Sequence, residues 1–415
     1  MKRRTFLNTG LQVGLAAAGA SFPVLQELRA QTARAPKLTI REVRAIRLRG
    51  MVTKYVRVYT DQGLTGTGEM VDTVGAELIV NEHMSPSLKG RDPLDIESIF
   101  YDYFTWKTPI GGISPVFMRG MGGPYMTALA GIDIALWDLA GKALGVPVYR
   151  LLGGKMRDKV SVYHHAGSPQ AAKDMLARTG VKALKASIDN VAQTELAKTG
   201  WDPTKVYAMT LNNHQIDAIQ KFVGSMRDAI GPDIGLALEM HSRLDTESAI
   251  QVSKVIAPMR PMWFEEPVPP DNPDAMLKVR EASPVPIAAG ENIYTRYGYR
   301  PFLEKQALAM IQPDMAKCGG LTENRKVAAM AEIYNVPLAP HGVASTLGKM
   351  AFAHVCASIP NFMILEWQAR EALAKLTDPA EMKDGFVTLP DKPGIGIEIN
   401  PDAVKEVLMP DSKPL

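Results

Sequence analysis

Short apolar runs, each closed by an ionisable residue, organise the second half of the chain. Ala309–Ile311 precedes Asp314, Val336–Ala339 precedes His341 and Phe362–Leu365 precedes Glu366. Continuous apolar runs of this length predict strands buried on both faces. The same rhythm runs upstream through Glu239 in LALEMHS, Glu265 in WFEEPV and Glu291 in AAGENIY, at equal intervals of 26 residues. A parallel strand, a helix and their two loops take about that length, so the spacing predicts a (β/α)8 barrel with these groups at one end of successive strands. Val160–Tyr163 and Val181–Ser187 read as the first two strands. A core has no use for six consecutive charged strand ends, whereas an active site at a barrel rim is built from them.

Leu38–Thr60 alternates like paired strands and turns at Asp61-Gln62-Gly63, the chemistry of a hairpin. Met126–Leu144 repeats apolar residues at helical spacing and is closed by Gly145-Val146-Pro147. The fold class is therefore α/β, a (β/α)8 TIM barrel over 155–370 behind an N-terminal α+β capping domain over 38–150. Residues 371–415 are assigned to a segment returning to the cap. Ile188–Asn213 is long for a βα loop and reads as an insertion over the site or a structural excursion.

Three carboxylates at one rim are hard oxygen donors, which points to a divalent cation, Mg2+ first and Mn2+ second. Lysine plus arginine (47) nearly balances aspartate plus glutamate (44), and no basic stripe is present, so nucleic acid is excluded as a partner. Cys318 and Cys356 read as buried apolar side chains or one bridge. Residues 1–30 differ in kind: Lys2-Arg3-Arg4-Thr5-Phe6-Leu7, a short Ala/Gly-rich apolar stretch and Leu28-Arg29-Ala30 predict a twin-arginine-type export signal and a periplasmic enzyme. A cytoplasmic protein with a basic leader is the alternative. No later stretch reaches the roughly 18 apolar residues of a membrane span.

The AGIDIALWDLAGK helix, the LLGG junction, FEEP, GEN, the Pro-Asp of the sixth strand, APH of the seventh and the closing KPGIGIEIN together resemble the enolase superfamily. Within it the chain is most similar to the mandelate racemase group and its acid-sugar dehydratases. The resemblance implies a modified barrel, a homo-oligomer, a sugar-acid substrate, and metal ligands at Glu239, Glu265 and Glu291. It further implies His341 as base with Asp314 as its partner, protonated Glu366 as donor to the substrate carboxylate, and His241 as general acid. Glu266 falls beside the ligands rather than among them.

Such chemistry removes a weakly acidic proton α to a carboxylate, and a cation with a hydrogen-bond donor stabilises the enediolate that results. Two departures bear on it. Glu239 stands where family members mostly carry aspartate, and the Lys-x-Lys of racemases reads Lys185-Ala186-Ser187. Lys185 stays a candidate, but the second lysine needed for two-base racemisation is replaced by serine. That favours β-elimination of water over epimerisation or cycloisomerisation through the same enediolate; a non-catalytic sugar-acid binder is the remaining class. Of the other histidines, His164 and His165 follow the first strand, a place from which one could reach substrate, while His83 and His354 are expected to be structural and His214 to lie at the surface.

Overall fold

The structure, a computed structural model, describes residues 36–105, 122–199, 210–368 and 371–415, and the export-signal reading over 1–30 lies outside them. Leu38–Leu415 forms one compact unit. It opens with an antiparallel sheet of β1 (Ile40–Arg47), β2 (Lys54–Thr60) and β3 (Thr65–Met70). The β2–β3 hairpin turns at Gly63, whose φ of 81° suits glycine, and Thr60 N–H donates to the Leu64 carbonyl at 3.1 Å. Helix Pro124–Leu144 covers this sheet, buried from Tyr125 to Gly141 and ended by Gly145 in the left-handed region. Gly66 and Gly68 allow the close approach, since a Cβ there would stand 2.0 and 2.1 Å from the carbonyl oxygens of Ala135 and Gly131.

The barrel follows. β4 (Lys159–His165), β5 (Ala183–Ser187), β6 (Gly235–Glu239), β7 (Trp263–Glu265), β8 (Ile287–Ala289) and β9 (Met310–Ile311) pair in chain order and in parallel. Leu338 bridges Ile311 and Phe362, and β10 (Leu365–Glu366) pairs with β4 to close the ring. Val336–Ala339 thus contributes less strand than its apolar sequence predicts, because Pro337 and Pro340 lack amide donors. Closure survives through Ala339 N–H to the Ile311 carbonyl at 2.9 Å and Met363 N–H to the Leu338 carbonyl at 2.8 Å.

Two local readings change. β4 extends through His164 and His165, which the sequence reading places after the strand. Ile188–Asn213 starts as a helix over Ile188–Ala192 and a 3-10 turn over Leu196–Thr199, while 200–209 lie outside the described residues. The next helix, Asn213–Ile230, is capped by Asn212 and Gln215. Beyond Glu371, β11 (Met382–Lys383) and β12 (Phe386–Thr388) form a hairpin on the first half of β4, and Leu408 bridges Leu48 of the cap sheet. Among the described residues no helix is long and apolar enough to cross a membrane.

Buried acids of the cap hold it to the barrel. Glu69 accepts from Thr53 Oγ1 at 2.9 Å, Ser345 N–H at 2.7 Å, Ser345 Oγ at 2.6 Å and Gly348 N–H at 2.9 Å, at the start of helix Thr346–Ser358. Asp133 accepts from Thr322 N–H at 3.0 Å in the first turn of helix Gly320–Ile333. Asp138 accepts from Thr67 N–H and Ile395 N–H, each at 2.9 Å. Helix N-termini carry unsatisfied amides and partial positive charge, so a carboxylate there is doubly favoured. Both helices begin at the catalytic end of their strands, which seats the cap over that end. His354 is buried beside these joints, its Nδ1 accepting from Tyr149 N–H at 3.1 Å and its Nε2 facing the Ile395 carbonyl at 3.0 Å. Cys318 and Cys356 are free and buried, so there is no bridge between them.

Candidate active site

Strand parity builds the site. Tyr163, Ala183, Ala237, Trp263, Ala288, Met310, Ala339 and Ile364 pack together as the apolar layer inside the barrel. Side chains repeat every two residues along a strand, so the next layer toward the catalytic end is His165, Lys185, Glu239, Glu265, Gly290, Gln312, His341 and Glu366. Parallel register places Glu239 beside Glu265 and Glu366 beside Tyr163. Glycine is required at 290, where φ is 153° and a Cβ would lie 2.6 Å from Gln312 N. The chain then turns so that Glu291, one residue on, brings its carboxylate to the same cluster.

Carboxylate oxygens of Glu239, Glu265 and Glu291 lie within 4.8 Å of one another. Lys185, fully buried, reaches into them: its Nζ is 2.6 Å from Glu265 Oε1, 3.1 Å from Glu239 Oε2 and 3.5 Å from Glu366 Oε2. Burial alone would lower the pKa of this ammonium, but the three carboxylates hold it well above its ordinary value. Glu265 is pushed up to about 7 by burial and by Glu239 and Glu366, against the pull of Lys185. Glu265 Oε2 also accepts from Trp263 Nε1 and Gln312 Nε2, both at 2.7 Å. The donor set fits a divalent cation: three hard carboxylates converge, and Glu239 Oε1 is buried without a hydrogen-bond partner.

Two histidines flank the cluster. His341 Nδ1 meets Asp314 Oδ2 at 2.7 Å, and its Nε2 lies 2.7 Å from Glu291 Oε2. Burial would lower the pKa of this imidazole, yet Glu291, Glu366 and Asp314 raise it well above 6.5, while His341 in turn holds Glu291 low. His241 Nε2 lies 3.1 Å from Glu239 Oε1 and its Nδ1 3.0 Å from Asp189 Oδ2, both off the hydrogen-bond axis. Against burial, Glu239, Glu291 and Asp189 raise its pKa to about 9. His241, Ser242 and Glu266 have φ of 48°, 58° and 36°, left-handed backbone that non-glycine residues keep only where their surroundings enforce it. Here Ser242 N–H donates to the Glu266 carbonyl at 2.8 Å.

Glu266 stands apart from the triad, accepting from Ser242 Oγ at 2.8 Å and Asn292 Nδ2 at 2.9 Å. Although buried, Glu366 is held well below the ordinary carboxylate range by Lys185, His341 and His165. It contacts His165 Nε2 and accepts from Tyr163 Oη at 3.3 Å and Gly342 N–H at 3.2 Å. Its neighbours are cations and donors, so the charged form is favoured. His165 therefore joins the site, whereas His164 is buried away from solvent and His214 is exposed. Gln312, Tyr163 and Asp189 were not among the residues singled out from sequence; strand parity, counted two residues from Asp314 and His165, is the signal that finds the first two, while Asp189 lies in the helix that follows β5.

Sequence profiles of two families match in order: "Mandelate racemase / muconate lactonizing enzyme, N-terminal domain" over 47–153 and "Enolase C-terminal domain-like" over 168–403. The D-xylonate dehydratase of Haloferax volcanii is 35% identical over 363 residues, 84% of each chain. The D-galactonate dehydratase of Pectobacterium atrosepticum is 34% identical over 370 residues, 85% of this chain and 90% of that one. Among solved structures, a mandelate racemase/muconate lactonizing enzyme-like protein from Rubrobacter xylanophilus superposes with a TM-score of 0.80 at 33% identity, over 92% of this chain and 99% of the other.

Proposed function

The chain belongs to the enolase superfamily, in its mandelate racemase group, and from that premise we propose that it is a hydro-lyase converting a sugar acid to a 2-keto-3-deoxy acid. The observation that carries the reading is the pair of histidines, His341 and His241, each turning Nε2 to a different carboxylate of one cluster, with relatives named as D-xylonate and D-galactonate dehydratases.

A divalent cation, Mg2+ by the chemistry of the donors, held by Glu239, Glu265 and Glu291 would supply positive charge to the substrate carboxylate and offset the Glu291 field that raises the pKa of His341. His341 Nε2 takes the proton from C2 while Asp314 holds Nδ1 and balances the imidazolium. Lys185, buried beside Glu366, faces the negative charge that develops on the carboxylate. His241 gives a proton to the departing 3-hydroxyl, the C3–O bond breaks, and water leaves. Electrons from the C2–H bond form the C2–C3 double bond, and the enol tautomerises to the keto acid. Ser187 stands where a second lysine would serve as opposing base, which supports elimination over racemisation.

The same reading divides the chain into a cap over 38–150, a barrel over 155–370 and a returning segment over 371–415. It also includes homo-oligomeric assembly, supported by family resemblance, and export to the periplasm, supported by Arg3-Arg4 and the apolar stretch behind it. Replacing Arg3 and Arg4 by Lys should hold precursor in the cytoplasm, and undiminished export would remove that part.

Proton NMR in D2O with Mg2+, against pentonic, hexonic and aldaric acids, tests the activity. A deuterium-bearing 3-deoxy methylene is expected. Exchange or isomerisation at C2 without loss of water would replace dehydration by epimerisation or cycloisomerisation, and no change in any acid would count against both.

A further inference from the structure

We propose that Asp189 is a positioning residue for His241, holding its imidazole so that Nε2 faces the reacting hydroxyl, as Asp314 does for His341. The inference rests on the dehydratase reading and adds a residue to it. Register is the first argument. Ser187 of β5 pairs with Glu239 of β6 at the last step of the ladder, and the chain just past those two ends, Asp189 in the first turn of helix Ile188–Ala192 and His241 at a φ of 48°, brings the two side chains together. The contacts run in parallel: each histidine turns Nε2 to a carboxylate of the central cluster and Nδ1 to an aspartate outside it, His341 by a hydrogen bond to Asp314 and His241 by a close charge contact with Asp189 that lies off the hydrogen-bond axis. The distances are 3.1 and 3.0 Å for His241 and 2.7 and 2.7 Å for His341.

Asp189 is itself held. Arg243 Nη1 donates to Asp189 Oδ1 at 2.6 Å, which leaves Oδ2 for the histidine. Behind it, Asn190 Oδ1 accepts from Ser187 N–H at 2.9 Å and Ser187 Oγ at 3.2 Å, fixing the turn that opens helix Ile188–Ala192. The serine that replaces a second lysine thus begins the turn carrying this aspartate. Sequence Ser187-Ile188-Asp189-Asn190 exchanges one acid/base group on the second strand for an orienting group on the third strand's histidine. Asp189 and His241 are each about one-third exposed at the rim, 38% and 33%, so the contact works by orientation more than by strength.

The test uses the full-length protein with Mg2+ and a sugar acid that the wild type dehydrates. For Asp189→Ala, kcat for elimination should fall about 100-fold with KM changed less than about threefold, the mark of a group acting in the transition state. Exchange of the C2 proton for deuterium in recovered substrate should persist, because His341 is untouched. Asp189→Glu should recover about 10-fold of the loss, since a carboxylate is restored one methylene displaced. Elimination at the wild-type rate in Asp189→Ala, or equal loss of exchange and elimination, would overturn the proposal. A readout independent of turnover is the 15N spectrum of histidine-labelled protein, with His241 assigned by its loss in His241→Asn. Its ring resonances should move in Asp189→Asn, and unchanged resonances would sink the contact. A wild type that dehydrates no acid in the panel would overturn the underlying reading, whereas wild-type turnover with an indifferent Asp189→Ala overturns this inference alone.

Discussion

Two groups of buried acids sit in this chain, and their partners differ in kind. At the joint between cap and barrel, Glu69 and Asp133 accept from backbone amides of Ser345, Gly348 and Thr322. At the rim, Glu239, Glu265, Glu291 and Glu366 meet one another, and their counter-charges are the side chains of Lys185, His341 and His241. A backbone amide cannot leave its acceptor without unfolding a turn, so the joint acids are fixed in one position. Side-chain cations can shift as a metal ion and a substrate arrive, and a cluster of like charges favours that arrival. The joint should therefore answer to mutation in stability, and the rim in activity and ion binding.

The largest expected break falls at the rim. His341→Asn should lower turnover about 10³-fold or more while leaving the melting temperature near that of wild type, checked by product NMR and calorimetry. Turnover within a few-fold of wild type would remove His341 as the base. Next comes Glu265→Gln, for which we expect Mg2+ affinity about 100-fold weaker by titration calorimetry, with little loss of stability because a carboxyl pushed up to about 7 was poorly placed for charge. Unaltered affinity would put the ion elsewhere.

At the joint, Glu69→Ala should do the converse, costing about 3 kcal/mol in denaturant unfolding while Mg2+ affinity of the folded protein stays within about twofold. If affinity fell as far as in Glu265→Gln, the two regions would not be separable. The smallest effect sharpens the joint by pH. Burial lowers the pKa of His354 from 6.5 to about 4, so between those values the unfolded chain binds a proton that the folded chain refuses. Stability from this group is present above pH 6.5 and falls as pH drops through that window, by up to about 1.4 kcal/mol per pH unit. His354→Gln should flatten that slope in melts from pH 7 to 5, and an identical slope would assign the acid sensitivity to other groups.

Much of the rim was legible in the sequence because strand period and barrel period are local. Equal spacing marks Glu239, Glu265 and Glu291, and the apolar runs before Asp314, His341 and Glu366 point each side chain to one end. Parity within strands, read no further than the charged residue, passed over Gln312 and Tyr163. The surroundings of Glu366 were missed for another reason: its contacts with His165, 201 residues away, and Lys185, 181 away, form only when the ring closes. Glu69 gave no sign of its role, since its partner Ser345 lies 276 residues on and no periodicity links a cap strand to a barrel helix. Asp189 fell in a stretch read as loop, and only the register of β5 against β6 brings it to His241.

The most direct test of the account is the metal dependence of C2 proton loss. D-xylonate and D-galactonate would be followed by proton NMR in D2O with enzyme stripped by chelator, then with Mg2+ restored. The account predicts no reaction in the stripped enzyme and a 3-deoxy product once Mg2+ returns, from at least one of these acids or another in the panel. Undiminished reaction in the stripped enzyme would contradict the assignment of the three glutamates and the chemistry built on them.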